Sequence, residues 1–102
     1  ALYFRAERLH REKEFTASND LIAKIAENSG QSGEWNVRAL LLVAKNYYAL
    51  NDAFQAVFVL ESIIENFDSF PLIAKEASEL IETYRVSLSE ENRSITKDTK
   101  NE

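Results

Sequence analysis

Laid against itself with a shift of 38 positions, the chain pairs residues of like size and polarity: Leu2 with Leu40, Ala6 with Ala44, Leu9 with Tyr47, Ser18 with Ala56, Ile22 with Leu60 and Ile25 with Ile63. A unit that recurs at such a spacing cannot bury its apolar face alone, so successive copies must stack on one another. What the unit is made of follows from what is scarce. Two glycines and one proline in 102 residues leave almost no material for hairpins, phosphate loops or the turns of a sandwich or barrel. The repeat is therefore read as a pair of helices, and the fold as all-α: antiparallel helix hairpins stacked in a short α-solenoid of about five helices.

Apolar spacing places the helices. From Ala1 to Phe15 the residues Leu2, Phe4, Ala6 and Leu9 recur among charges with no turn residue, predicting a helix of about three turns. A second starts between Phe15 and Ser18, carries Leu21, Ile22, Ile25 and Ala26, and stops at the polar stretch 28–33 that holds both glycines. The third, from Glu34 or Trp35 to Leu50, contains the run Ala39 to Ala44, so dense in apolar side chains that more than one face must be buried. Asn51 suits a left-handed helix end, and Asp52 with Gln55 three positions later suits a capping box opening a fourth helix over 53–66. Pro71 opens the fifth, whose one-sided stripe of Leu72, Ile73, Ala77, Leu80, Ile81 and Tyr84 marks a terminal helix. Residues 1–86 form the domain, with unit one about 1–28, unit two about 35–67 and a closing helix about 71–86. The polar tail 87–102 is expected to form at most a frayed helical extension and then to be disordered.

Composition narrows the function. Seventeen acidic against twelve basic side chains, a formal charge of −5, argue against a surface that neutralises phosphates, so nucleic acid is not an expected partner. No run approaches the roughly 18 to 20 apolar residues of a membrane span. The absence of cysteine excludes disulfides and thiolate sites and fits cytosol, periplasm or cell surface alike. With no methionine, even at position 1, the chain is expected to be a processed or excised piece of a longer one.

Catalytic constellations are thin. Glu7 and His10 have the i, i+3 spacing of ligands in helical di-iron proteins, but such a site needs two such pairs and His10 is the single histidine. His10 is read instead as part of a solvated charged face, and a helical metal-dependent enzyme stays a remote alternative. No second base supports a nucleophilic triad. Glu61 and Glu65, one turn apart, read as a solvated face rather than an acid/base pair. Arg5, Arg8, Arg11 and Lys13 form the one basic concentration, with Glu7–Arg11 and Arg8–Glu12 as i, i+4 partners. The chain is not expected to be an enzyme, nor to need a cofactor or metal.

Ala44, Tyr47, Ala56, Leu60 and Ile63 carry the offsets of the tetratricopeptide repeat, and the second unit (Glu-Trp-Asn-Val-Arg-Ala at 34–39, Phe54-Gln55-Ala56, and 60–67) resembles the last repeat of a subset of bacterial proteins of that family. The likeness covers residues 34–84 well and 1–27 loosely: Asp68 replaces the family proline, Asn51 the turn glycine, and Lys13 and Ser18 stand at small positions of the first unit. The resemblance implies a right-handed sense for the α-solenoid and a non-catalytic protein-interaction scaffold, and leans toward the bacterial cell envelope or periplasm. It places a peptide or protein partner on a concave face lined by Tyr3, Glu7, His10 and Arg11 from unit one, Arg38, Leu42, Lys45 and Tyr48 from unit two, and Lys75, Ser78 and Glu82 from the closing helix. Cations, hydroxyls and aromatics together suit a peptide of some acidic character. The competing reading is a structural or oligomerisation segment, in which the N-terminal face around Leu2, Phe4 and Leu9 docks on further repeats or on another copy.

Overall fold

Five helices follow one another: α1 Leu2–Arg11, α2 Phe15–Asn28, α3 Glu34–Ala49, α4 Ala53–Asn66 and α5 Pro71–Lys100. The computed structural model describes residues 2–28, 33–67 and 69–100, and no strand occurs among them. Gly30 and Asp68 lie outside the described residues. Each helix packs on the next, and α3 also packs on both α1 and α5. The odd helices therefore form one row, with α2 and α4 seated behind it. Among the described residues α2 and α4 do not touch.

The 38-residue repeat extends to the turns. Lys13 and Asn51 lie 38 apart and are the described non-glycine residues with positive φ, 65° and 64°. In each, the residue's N–H bonds the carbonyl three back (His10, Tyr48) at 3.0 Å, and the next N–H bonds the carbonyl five back (Leu9, Tyr47) at 2.8 Å. These are two copies of the Schellman helix end, which satisfies otherwise orphaned carbonyls. The helix expected to continue toward Phe15 thus stops at Arg11 without glycine, on a left-handed lysine. At Asp52 half of the expected capping box forms. Its carboxylate accepts from the Gln55 backbone N–H at 3.1 Å, and the Gln55 side chain donates to that same carboxylate at 2.6 Å.

Burial repeats as well. Ala6 and Ala44 are fully buried, as are Ser18 and Ala56, and Ile22 and Leu60 are 4% and 0% exposed. Small side chains at the first two pairs let antiparallel helices approach, and the large ones fill the space between. The central helix is buried on two sides. Val37, Leu41 and Ala44 join Val57, Leu60, Ile63, Ile73, Ala77, Ile81 and Tyr84 in the main core. Ala39 and Leu42 join Ala6 and Ile22 in a smaller one. At about 1.5–3 kcal/mol per fully buried large aliphatic side chain, the main core dominates stability and unit one is the weaker partner.

The fifth helix is longer than the closing helix expected over 71–86: its backbone is helical to Lys100, further than the frayed extension expected after residue 86. No glycine or proline follows Pro71 to stop it. Packing also reaches past residue 86, since Leu88 lies against the main core and Ser87 accepts from the Tyr48 hydroxyl at 3.2 Å.

Candidate functional site

Short connections reverse the chain at each turn, so α1, α3 and α5 run in the same direction and their N-terminal ends gather along one rim. There the rings of Tyr3, Phe4 and Trp35 pack edge-on or tilted, with centroids 5.5–5.7 Å apart. Phe4 and Trp35 nevertheless stay 55% exposed. The Arg38 guanidinium lies 6.0 Å from the Trp35 ring centroid and bonds Glu34 at 3.3 Å. Beside it, Arg38 and Glu34 face Phe70, Pro71 and Leu72 across a cleft of about 200 Å³.

Behind the rim the surface turns polar. The Tyr3 hydroxyl donates to the Glu7 carboxylate, and its pKa is pushed above the ordinary tyrosine value. Burial is the main cause; the negative charges of Glu7 and Glu76 add to it, and Arg38 opposes it. Lys45 bridges to Glu76 at 3.0 Å, tying α3 to α5. Of the sequence-predicted lining, the structure thus gathers Tyr3, Glu7, Arg38 and Lys45, and it adds Glu76.

The other predicted residues lie elsewhere. Leu42 is only 5% exposed, packed in the smaller core, because the α2 contact takes that side of α3. His10 is half-buried rather than on a solvated face, its ring edge-to-face with Phe15. Its Nδ1 lies 2.6 Å from Oδ1 of Asn46. Asn46 is fully buried, and its amide donates to Ser18 Oγ at 2.9 Å and to Asn19 Oδ1 at 2.8 Å. That amide leaves Oδ1 as the acceptor, so His10 is the donor at Nδ1. Ser18 Oγ in turn donates to the Ala6 carbonyl at 2.7 Å. The single histidine is thus a fastener between α1 and α3.

Tyr48, too, is turned inward. It stacks on Tyr84 at 3.9 Å and 8°, joining α3 to α5. Arg11 is exposed and pairs with Glu7 at 3.5 Å. Lys75, Ser78 and Glu82 are exposed on the side of α5 opposite Ile73, Ala77, Ile81 and Tyr84, hence away from the row of odd helices. The lining expected on α5 is out of register: Glu76, next to Lys75, is the residue that faces α3.

Both cations of this surface have an intramolecular carboxylate: Arg38 with Glu34 and Lys45 with Glu76. An acidic ligand would have to compete with these pairs, so the accessible anchors are the aromatic rings at the rim. The sequence signal for them is the one tryptophan, standing in the first turn of its helix. Among the described residues no group of three His, Cys, Asp or Glu could hold a metal ion, and no helix is long and apolar enough to cross a membrane. No protein-family model, no curated protein and no solved structure matches the chain.

Proposed function

We propose that the chain is a non-catalytic interaction module of the tetratricopeptide type, which receives a peptide or protein segment on the surface of α1, α3 and α5. One observation carries the reading: three helices in a row bring Tyr3, Trp35, Arg38 and Glu76 side by side, with Trp35 more than half exposed and Arg38 held over its ring. A solvent-facing tryptophan with an arginine against it is the composition of an interface anchor rather than of ordinary surface. The paired charges around it set orientation, and the apolar rim supplies affinity. The repeat of burial and turn geometry at 38 residues supports the family reading.

Trp35 is the only tryptophan, so a ligand seated there is read directly in its emission. Peptides selected from a random display library on the intact protein are expected to shift that emission, and to lose about tenfold or more in affinity on W35A or R38A by calorimetry. Glu82→Ala, on the far side of α5, is the control expected to change nothing. Selected peptides that bind W35A and R38A as tightly as the parent refute the assignment.

A further inference from the structure

On the side of α4 away from the core, Phe54 and Phe58 stand one turn apart and are 73% and 70% exposed. With Val57 and, from α5, Leu88 they line an open groove of about 320 Å³, bordered by the Glu61–Arg85 ion pair at 2.7 Å. One turn beyond Glu61 comes Glu65, also exposed. No lysine or arginine occurs between Lys45 and Lys75. The outer stripe of α4 therefore reads phenyl, phenyl, carboxylate, carboxylate at helical spacing.

The outer face of α1 carries the complement. Phe4 is 55% exposed, and Arg5, Arg8 and Arg11 follow it, all exposed. Arg8 pairs with Glu12 at 3.7 Å and Arg11 with Glu7 at 3.5 Å, both pairs in solvent and so easily exchanged for another carboxylate. Arg5 makes no ion pair among the described residues. We propose that α1 of one copy of this chain lies in the α4–α5 groove of another, with Phe4 against Phe54 and Phe58 and the arginines over Glu61 and Glu65.

Both helices run from an apolar end to a charged end, so α1 docks parallel to α4. The spans agree from Phe58 onward: seven residues from Phe4 to Arg11 and seven from Phe58 to Glu65 each cover about 10 Å, with Phe54 one turn further back. Opposite charge fixes which face meets which, and the phenyl rings supply the apolar contact. Because the two surfaces differ, the contact is heterologous and copies add head to tail unless the rotation closes a ring. Phe4 borders both this surface and the Trp35 rim, so the test uses residues that only one of them contains.

Sedimentation equilibrium of the intact chain at low salt, from about 10 μM to about 1 mM, is expected to show a mass rising above 11.7 kDa with concentration and falling back as salt is added. The paired changes F54S/F58S, R5E/R8E and E61R/E65R each are expected to weaken association about tenfold or more, with helicity unchanged by circular dichroism. Mixing R5E/R8E with E61R/E65R restores association, because each charge reversal then meets its opposite. R38A leaves association unchanged, which separates this interface from the peptide site. A mass that stays monomeric throughout, or association that these changes do not affect, overturns the proposal. So does a monomeric chain that instead binds an unrelated Arg- and Leu-rich peptide at Phe54 and Phe58, which gives the groove to a foreign basic partner.

Discussion

Replacing Asn46 with alanine tests whether the polar fastener between the units outweighs what an apolar residue could offer in its place. Asn46 is fully buried and spends its side chain on three bonds, to His10, Ser18 and Asn19 at 2.6–2.9 Å. At about 1 kcal/mol net per bond the loss is about 3 kcal/mol, and the small void left behind adds to it. For a domain of this size, about 3 kcal/mol lowers Tm by roughly 12–24 °C. Ser18→Ala alone removes the acceptor for one Asn46 N–H and costs about 1–3 kcal/mol. In the N46A background that N–H no longer exists, so the second change costs less. The double-mutant cycle is therefore expected to show about 1 kcal/mol of coupling. Urea titrations followed by circular dichroism give each free energy, at an unchanged slope if the transition stays two-state. Amide exchange in α1 and α2 is expected to quicken more than in α4 and α5, because the bonds join unit one to α3 across the smaller core. Strictly additive single and double variants, or an N46A cost below about 1 kcal/mol, refute the reasoning.

Three further outcomes are expected. Lys13→Gly raises stability by about 1 kcal/mol, since Lys13 holds φ at 65° with a side chain that disfavours it; the urea midpoint reads this. Gly33→Asp raises it by about 0.5–1 kcal/mol by the same measurement, because Gly33 caps α3 in an extended conformation with open space where a Cβ would stand and no side-chain cap bond. Tyr84, 5% exposed, has its pKa pushed up to about 12, by burial first and then by the charges of Tyr48 and Glu76. Its native state holds the proton longer than the unfolded chain, so its contribution is complete below pH 10. It is lost at about 1.4 kcal/mol per pH unit as pH rises from about 10 to about 12. Tyr84→Phe is expected to flatten that part of the stability profile.

Helix number, the starts of α3, α4 and α5, and the turn at Asn51 are legible in the sequence because each depends on neighbours within a turn or two. Pro71 presets the first turn of α5, Asp52 caps Gln55, and Glu7–Arg11 and Arg8–Glu12 pair along one helix face. The 38-residue shift also anticipates which residues are buried, since Ala6 with Ala44 and Ser18 with Ala56 share an environment as well as a size. Lys13 is less legible. Its left-handed geometry comes from the stacked fold holding that turn in place, with no local preference of lysine behind it.

Contacts across helices have another origin. His10 meets Asn46 from 36 positions away and Tyr48 stacks on Tyr84, and neither pair has a spacing that periodicity could report. Leu42, expected on a surface, lies in a core, while Glu76 rather than Lys75 reaches α3. One residue of register turns a helix by about 100°, and register between helices is set jointly by every side chain in the packed layer. A repeated helical hairpin, its turns and its local charge pairs follow from the order of residues along the chain. Which side chains remain for a partner follows from packing alone, because burial on one helix depends on where its neighbour comes to rest.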